Sequence, residues 1–400
     1  MNATYDVVII GGGISGMMAA ITLVGCGKKV AVVSKGDPVC CFSTGCVDVL
    51  ADGENPLKGI GSLPEHHPYH LVGDKGIAEA LGLFRGIMSA EGIPYVGDVH
   101  ANRRVLTSLG RSKVTCLVPE TMDFSDIDPH ESLHILSFHK MKDFYPQYIT
   151  SRYAKAAYST FDAGVTTTVG IAERFEDSDF LDTFTTWMRG LAIQEERIAV
   201  PAVLGRGSSG AVYHRIGGEC GRTVFEIPTL PPSMPGLRLF GGLKNAFLRR
   251  KGDLYWGRGI YSVEKLGNQI EAVTLTGPGR STRVEGKAFI LATGSFVSGG
   301  LQASRDAVME TVFNLPSYLP PGTRDAWFQD DFFAVGHEIE KAGIRVDASF
   351  RPLGTEIENL YVCGSILAFS EVMKYRCGHG MAIATGVAAA KACMGAYSGI

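Results

Sequence analysis

The feature that most constrains this chain is a glycine-rich turn between an apolar β-branched run and a stretch of helical composition. Residues 5–10 favour a buried parallel strand, residues 17–25 a helix and residues 29–34 a second strand, so together they predict one βαβ unit. The turn between the first strand and the helix, Gly11-Gly-Gly-Ile-Ser-Gly16, fits the pattern G-x-G-x-x-G. Such glycines permit a tight turn, close approach of the backbone to a pyrophosphate and close helix–strand packing. The turn therefore predicts a nucleotide phosphate site at a helix N-terminus.

The second half of this fingerprint is missing. An Asp or Glu about 20 residues further on normally holds the adenosine ribose hydroxyls. Here the second strand ends in Ser34-Lys35-Gly36, and no acid occurs before Asp37. Either Ser34 takes over the hydroxyl contact, or the ligand lacks an adenosine half and is FMN rather than FAD.

Two later strands also end in small residues, as expected of chain that passes close to a bound flavin. Residues 288–291 lead into Ala292-Thr293-Gly294, and residues 359–363 lead into Gly364-Ser365. A Gly/Ala-rich helix follows the second of them. Three glycine-bearing strand ends in this order favour a flavin over other nucleotides.

Composition narrows the class of protein further. Glycine makes up 50 of 400 residues, against a typical share of about 7%. The net charge of −3 gives no reason to expect a nucleic-acid partner. No uninterrupted apolar run is long enough to span a bilayer, the N-terminus does not read as a signal peptide, and nine cysteines without one favour a reducing cytoplasm.

The length predicts two interleaved domains. We expect an α/β, Rossmann-like FAD/NAD(P)-binding flavoprotein fold with an inserted α+β cap domain. The flavin-binding domain is expected to comprise residues 1–50, 237–300 and 346–400, and the cap, which would contact substrate or partner, residues 51–236 and 301–345. Other predicted elements are helices at 76–91 and 237–251 and strands at 164–169, 254–265, 269–275 and 283–291.

Four stretches of the sequence resemble the B subunit of the anaerobic glycerol-3-phosphate dehydrogenases. They are Ser43-Thr-Gly-Cys-Val-Asp-Val-Leu50, Ile227-Pro-Thr-Leu-Pro-Pro-Ser-Met-Pro-Gly-Leu-Arg-Leu239, Ile290-Leu-Ala-Thr-Gly-Ser-Phe-Val-Ser-Gly-Gly-Leu301, and Phe350-Arg-Pro-Leu with Ile357-Glu-Asn-Leu-Tyr-Val-Cys-Gly-Ser365. More remotely, the Ser34-Lys35 strand end and the Ser43-Thr-Gly loop are similar to the flavoprotein of succinate dehydrogenase and fumarate reductase, which binds FAD.

The resemblance implies a quinone-dependent oxidation of sn-glycerol 3-phosphate to dihydroxyacetone phosphate, supporting fumarate or nitrate respiration. It also implies FMN as the cofactor, with FAD as the alternative. Two partners are implied: a larger FAD-containing catalytic subunit and a membrane-anchoring iron–sulfur subunit. The chain would then be cytoplasmic, held at the inner face of the membrane through a partner. The alternative is a stand-alone flavin oxidoreductase of the fumarate reductase type that acts on a small acid.

The predicted site residues follow from these motifs. Arg376, where the fumarate-reductase-like family places a substrate arginine, is a candidate for binding phosphate or carboxylate, and His379 for acid–base catalysis. Arg238 is a further candidate for an anion. The expected cofactor-binding residues are Gly11, Gly12, Gly13, Ser15, Gly16, Ser34, Lys35, Ser43, Thr44, Gly45, Ala292, Thr293, Gly294, Gly364, Ser365, Gly378 and Gly380.

Two clusters of residue types that can bind metals are not expected to form a metal site. His66, His67 and His70 lie in a proline-bounded loop without further ligands at a suitable spacing. Cys40, Cys41 and Cys46 do not follow an iron–sulfur spacing. The sequence predicts no metal site.

Overall fold

A computed structural model describes residues 3–123, 128, 130–207, 209–277 and 281–397. The ends of the expected flavin domain, 1–2 and 398–400, and residues 278–280 of its middle segment lie outside the described residues, as do 124–127, 129 and 208 of the expected cap. The described helices are α1 (Ile14–Gly25), α2 (Pro56–Gly59), α3 (Tyr69–Ala90), α4 (Pro146–Thr150), α5 (Thr168–Arg174), α6 (Ser178–Gly190), α7 (Ser209–Cys220), α8 (Met234–Arg249), α9 (Val372–Tyr375) and α10 (Gly378–Tyr397).

The strands are short outside the two main sheets. In chain order they are β1 (Ala3–Ile10), β2 (Val30–Ser34), β3 (Tyr95–Gly97), β4 (Arg103–Leu106), β5 (Ser112–Thr115), β6 (Leu117–Pro119), β7 (Leu133–Phe138), β8 (Ala156–Phe161), β9 (Arg197–Pro201), β10 (Thr223–Ile227), β11 (Asp253–Trp256), β12 (Ile260–Leu266), β13 (Gln269–Leu275), β14 (Thr282–Leu291), β15 (Leu301–Ala303), β16 (Val308–Glu310), β17 (Ser317–Tyr318), β18 (Gly343–Ile344) and β19 (Leu360–Val362).

The first sheet has the order β11-β2-β1-β14-β13-β12, and β19 also pairs with β14. Strands β11, β2, β1, β14 and β19 run parallel, whereas β13 and β12 are antiparallel additions. Val7 pairs with Ala288 on one side and Val30 on the other. Strands β1 and β2 are buried almost throughout, as expected of parallel strands covered on both faces. The carboxyl ends of these strands therefore meet at one edge.

The second sheet has the order β10-β9-β7-β8, and its strands are all parallel. Its core contains a packed set of aromatic rings, among them Phe138, Phe161, Phe175 and Phe184. The region expected to be an α+β cap thus contains an α/β unit of its own. We attribute the difference to the alternation of β7 to β10 with α4 to α7, which favours parallel pairing.

The expected α/β class with a parallel sheet is confirmed. Strand β13 has the predicted bounds, and β14, β19, α3 and α8 lie within a few residues of theirs at most ends, although α3 begins at Tyr69. The predicted strand at 164–169 is wrong, because the Thr167 side chain accepts a hydrogen bond from the Gly170 N–H and caps α5 there. The predicted strand at 254–265 is divided into β11 and β12 at Gly257, whose φ is +69°.

The domain division stays a proposal that the packing refines. Helix α3 belongs to the larger core, together with β1, β14 and α10, although its residues were assigned to the cap. Residues 133–234 supply most of a second core. Across the described part of the chain, no helix is both long and apolar enough to cross a membrane.

Candidate flavin site

The turn after β1 is built so that only glycine fits at its first position. Gly11 has a φ of +118°, and a side-chain carbon there would collide with the carbonyl oxygen of Ala292. A side-chain carbon at Gly16 would in turn collide with the carbonyl oxygen of Gly11. The first turn of α1 is thereby held against the ends of β1 and β14.

Gly13 differs from its neighbours because its α-carbon faces open space. A side-chain carbon there would have no heavy atom within 4 Å, and its φ of −73° is ordinary. Gly13 is the N-cap residue of α1, and because it has no side chain it does not cap the free N–H groups of the first turn. The positive end of the helix dipole therefore adjoins open space beside Gly13, as at helix N-termini that bind anions.

Thr293 provides a direct test of whether the site suits a polar ligand. Its Oγ1 is buried and has no hydrogen-bond partner among the described residues. An unpaired buried hydroxyl is unfavourable, so a bound group that hydrogen-bonds to it would remove that cost. With the space at Gly13, this hydroxyl at the end of β14 fits a flavin nucleotide.

The end of β19 lies directly on the start of α1. Gly364 has a φ of +85°, and a side-chain carbon there would collide with the Ser15 hydroxyl. The Gly364 N–H donates to Thr385 Oγ1 in α10 at 3.0 Å. A side-chain carbon at Gly294 would lie 3.5 Å from Ser365 Oγ. The strand ends predicted separately are therefore brought together.

Ser34 and Trp256 lie at the end of the turn where an adenosine ribose would bind. The Ser34 hydroxyl donates to the Gly36 carbonyl at 3.0 Å, which leaves its lone pairs free to accept. A side-chain carbon at Gly12 would lie 2.8 Å from Ser34 Oγ and 3.6 Å from the Trp256 ring. Lys35 is exposed, beside Gly259. Trp256 was missed from the sequence, and only its position at the end of a strand beside β2 reveals it.

The Ser43–Gly45 loop packs against the N-terminal turn of α8. The Ser43 hydroxyl donates to the Cys40 carbonyl at 2.7 Å and accepts from the Gly45 N–H at 3.2 Å. Gly45 has a φ of +73°, and a side-chain carbon there would lie 2.7 Å from Pro235 Cβ. Thr44, between them, is half-buried. The loop is thus held at the start of α8.

Helix α10 connects the segment that follows this loop with the strand ends. Near its start, the Gly380 N–H donates to the Asp48 carbonyl at 3.0 Å, two residues after Gly378. One turn later, Thr385 binds Gly364, and a side-chain carbon at Gly386 would collide with the Ser15 carbonyl oxygen. Consecutive turns of one helix therefore contact the segment after Gly45 and the predicted residues Gly364 and Ser15.

His379 and Arg376 differ in their surroundings. The half-buried His379 ring donates through Nδ1 to the Cys46 carbonyl at 2.8 Å, which leaves Nε2 able to accept a proton. Burial holds the pKa of His379 below its usual value, although the Cys46 carbonyl and Asp48 oppose the shift. Arg376 is exposed and has a φ of +47°. Its backbone N–H donates to the Val372 carbonyl, whereas its guanidinium has no hydrogen bond or ion pair among the described residues. Its guanidinium is free to bind an anion.

An ion pair near His379 was also missed from the sequence. Lys113 Nζ lies 2.5 and 2.6 Å from the two carboxylate oxygens of Asp48. These residues are 65 positions apart in the chain, so no local pattern could indicate the pair. It fixes β5 against the segment that contacts α10.

Arg238 is not available for a substrate. Its guanidinium is fully buried and binds both Glu226 oxygens, at 2.6 and 3.1 Å, and the Gly205 carbonyl at 2.9 Å. Glu226 also accepts from Thr121 and from the Leu204 N–H. The expectation that Arg238 binds an anionic ligand is therefore wrong, because an internal carboxylate already occupies it.

In the histidine and cysteine clusters, His67 and the three cysteines are packing residues. His67 is buried and lies 3.9 Å from the Cys377 sulfur, whereas His66 and His70 are exposed. Burial lowers the pKa of His67 to about 4. Cys40, Cys41 and Cys46 are buried free thiols. Among the described residues, no group of His, Cys, Asp or Glu is arranged to hold a metal ion.

Comparison with known proteins identifies the class to which this site belongs. The family model described as "FAD binding domain" matches residues 6–381. The chain therefore belongs to the FAD-binding-domain family of flavoproteins, and its fold is that of an FAD-binding oxidoreductase. The family description supports a flavin and names FAD; it does not support FMN as the first choice.

Curated relatives make the resemblance more specific. The chain is 28% identical over 424 residues to the B subunit of the anaerobic glycerol-3-phosphate dehydrogenase of Vibrio vulnificus, covering 98% of this chain and 96% of the relative. It is 27% identical over 413 residues to the B subunit of the same enzyme from Yersinia enterocolitica, covering 95% of each. The predicted resemblance to these B subunits is confirmed. Among solved structures, a quinol fumarate reductase chain of E. coli aligns with 8% identity and a TM-score of 0.48, covering 100% of this chain and 72% of the other.

Proposed function

We propose that this chain is the flavoprotein B subunit of an anaerobic, quinone-dependent glycerol-3-phosphate dehydrogenase. Its complex would oxidise sn-glycerol 3-phosphate to dihydroxyacetone phosphate and pass the electrons to quinone for fumarate or nitrate respiration. The observation that carries the proposal is similarity to proteins of that name along nearly the whole of both chains. The flavin-compatible site at the strand ends supports it.

The proposed cofactor is FAD, bound across the turn at Gly11–Gly16. A flavin accepts a hydride equivalent from an alcohol and releases electrons singly to a one-electron acceptor. Gly13 and the start of α1 would receive its phosphates, and Thr293 Oγ1 would gain a partner. The Ser34 lone pairs would accept from the ribose hydroxyls in place of the absent carboxylate, with Trp256 alongside. Heat release of the cofactor followed by chromatography tests this, and FMN as the released compound would overturn it.

Arg376 is the proposed ligand of the substrate phosphate. A guanidinium suits this because it binds phosphate oxygens through two parallel N–H donors. His379 would accept the hydroxyl proton at Nε2, since Nδ1 is engaged by the Cys46 carbonyl. Its lowered pKa keeps the ring neutral near pH 7, as a base requires.

The proposed partners are a larger FAD-containing catalytic subunit and an iron–sulfur subunit that anchors the complex to the membrane. The chain itself would lie on the cytoplasmic side and reach the membrane only through that anchoring partner. The alternative, a stand-alone flavin oxidoreductase acting on a small acid as in fumarate reductase, needs neither partner.

One experiment separates the two functions. The chain is purified alone and after co-expression with the larger flavoprotein and the iron–sulfur protein of the same organism's enzyme. Quinone reduction by sn-glycerol 3-phosphate and fumarate reduction are both measured. Activity with glycerol 3-phosphate only in the co-expressed complex supports the proposal. Fumarate reduction by the chain alone, without association, would overturn it.

Arg376 offers a sharper control within the same assay. Arg376→Gln should raise KM for glycerol 3-phosphate more than tenfold, about 1.4 kcal/mol of lost binding. The matched variant Arg305→Gln, at another exposed arginine, should leave KM unchanged. Equal KM values for the two variants would place the substrate elsewhere, for example in the larger flavoprotein.

A further inference from the structure

Residues 328–337, here called the Phe332 loop, expose large apolar side chains to an unusual degree. Phe332 is 82% exposed and Phe333 85%, with Val335 at 58%. The two rings contact each other edge to face, with centroids 5.2 Å apart. A contiguous apolar patch on a folded surface marks an interaction site more often than a scatter of single residues does.

The loop is held in shape by hydrogen bonds at its base. The Gln329 N–H donates to His337 Nδ1 at 3.0 Å, and the Gln329 side-chain amide donates to the carbonyls of Val335 and Gly336 at 3.0 and 3.1 Å. His337 Nε2 lies 3.3 Å from the Phe332 carbonyl. The Phe333 N–H donates to Asp331 at 2.9 Å. The phenylalanines are therefore presented on an ordered turn, which lowers the entropy cost of binding.

The charge around the loop favours a protein over a membrane as its occupant. Asp325, Asp330 and Asp331 are all exposed. Arg324, which precedes the loop, lies over the Phe328 ring with 5.8 Å between the guanidinium carbon and the ring centroid. An anionic lipid surface attracts basic segments and would repel these aspartates. The matching surface is an apolar pocket with a basic rim.

The loop also adjoins the proposed substrate side of the flavin site. A side-chain carbon at Gly336 would lie 3.2 Å from Lys374 in α9, and the neighbouring Met373 is 72% exposed. Helix α9 ends one residue before Arg376. A protein bound to the Phe332 loop would thus contact the segment that leads into Arg376.

We propose that the Phe332 loop is the docking surface for the larger flavoprotein of the complex, whose facing surface is an apolar pocket rimmed by Lys or Arg. This inference rests on the proposed function, because it presupposes that partner. Docking there would bring the larger flavoprotein to the Arg376 end of the site, where electron transfer between the two chains needs a short path.

The test uses the double variant Phe332→Ser with Phe333→Ser, co-expressed with the larger flavoprotein. Affinity between the purified chains should fall at least tenfold, while flavin content stays unchanged. The matched control is Tyr261→Ser, at a ring 78% exposed on strand β12, which should bind as the unsubstituted chain does. Asp330→Lys should weaken binding further and reduce its salt dependence, since it removes charge attraction to the basic rim.

The outcomes separate this inference from the proposed function. If the unsubstituted chain does not bind the larger flavoprotein, the proposed function fails. If it binds and the double variant binds equally well, only the docking surface fails. Binding of the chain alone to phosphatidylglycerol vesicles that is lost in the double variant would also overturn the inference, because the loop would then be a membrane contact.

Discussion

Two glycine-rich loops in this chain share one motif and differ in whether nearby polar groups are already hydrogen-bonded within the protein. Gly11, Gly13 and Gly16 follow β1 and open α1; Gly205, Gly207 and Gly210 fit the same G-x-G-x-x-G spacing, follow β9 and lead into α7. Both loops stand between parallel strands, so sequence pattern alone does not distinguish them.

The difference is in their hydrogen bonds. In the second loop, the N–H groups of Arg206 and Gly207 donate to the Glu176 carboxylate at 2.6 and 3.1 Å. Glu226, 21 positions after Gly205 and so placed as a ribose acid would be, is bound by Arg238. Beside the first loop, just after β14, Thr293 Oγ1 is buried and unpaired among the described residues. A phosphate motif thus marks a site only where the protein leaves the polar groups unsatisfied.

The largest effect on stability is expected from removing Arg238, the partner of Glu226 near the second loop. Arg238→Leu leaves the Glu226 carboxylate buried without its partner, which should lower the free energy of unfolding by about 3–5 kcal/mol. Denaturant unfolding measures it. Arg206→Leu breaks an ion pair with Glu173 that is exposed on both sides and should have a far smaller effect. If folded Arg238→Leu protein instead lost flavin at full stability, the assignment of Arg238 to the fold would be refuted.

The part of the molecule that contains the first loop should lose more stability in acid than the part that contains the second loop. The pKa of buried His67 is about 4 when folded, against an ordinary 6.5, so between these values the unfolded chain binds more protons. Stability should therefore fall as pH drops from 6.5 to 4, by roughly 3 kcal/mol at most. His67→Gln should flatten this dependence.

His134, in the part of the molecule that contains the second loop, provides the contrast. Burial lowers its pKa as well, but Glu195 lies 3.4 Å away and offsets the shift. His134→Gln should change the acid dependence less than His67→Gln does. Identical unfolding curves from pH 7 to pH 4 for the His67 variant and the unsubstituted chain would contradict the prediction.

A direct test of the two loops compares Gly13→Val with Gly207→Val. Neither site has a heavy atom within 4 Å of an added side-chain carbon, and neither has a positive φ, so both variants should fold. Valine at position 13 would fill the space proposed for the phosphates and weaken flavin binding at least tenfold, about 1.4 kcal/mol. At position 207 it should have no effect on flavin content, measured by absorbance after gel filtration. Equal flavin content in both would refute the placement at Gly13.

The smallest effects are expected from substitution of Thr293. Loss of its hydroxyl should stabilise the flavin-free protein but weaken flavin binding. Thr293→Val removes an unpaired buried hydroxyl and should stabilise the flavin-free protein by about 1 kcal/mol, while it weakens flavin binding by a similar amount. Thr293→Ser keeps the hydroxyl and should bind flavin normally. Weaker binding by the Ser variant as well would show that the methyl group, rather than the hydroxyl, contacts the ligand.

Sequence alone determined the first βαβ unit, the order of the glycine-ended strands and the resemblance to the B subunits of the glycerol-3-phosphate dehydrogenases. These features depend on local periodicity and on residues whose spacing along the chain is fixed by one turn or one strand end. The start of α5 at Thr168 shows where a prediction from local sequence is wrong. The β-branched composition favours a strand at 164–169, but the capping Thr167 begins a helix there.

Only the tertiary structure decided which polar groups were already paired. Arg238 was a candidate ligand by sequence and is an internal counter-ion by structure, since Glu226 reaches it across two elements. Gly207 matched a phosphate motif, but Glu176, from another helix end, occupies its loop. Trp256 beside Ser34 and Asp48 beside Lys113 are likewise juxtaposed by β-sheet and loop packing. Pairing between residues distant in the chain depends on the whole fold, so it could not be predicted from any single motif.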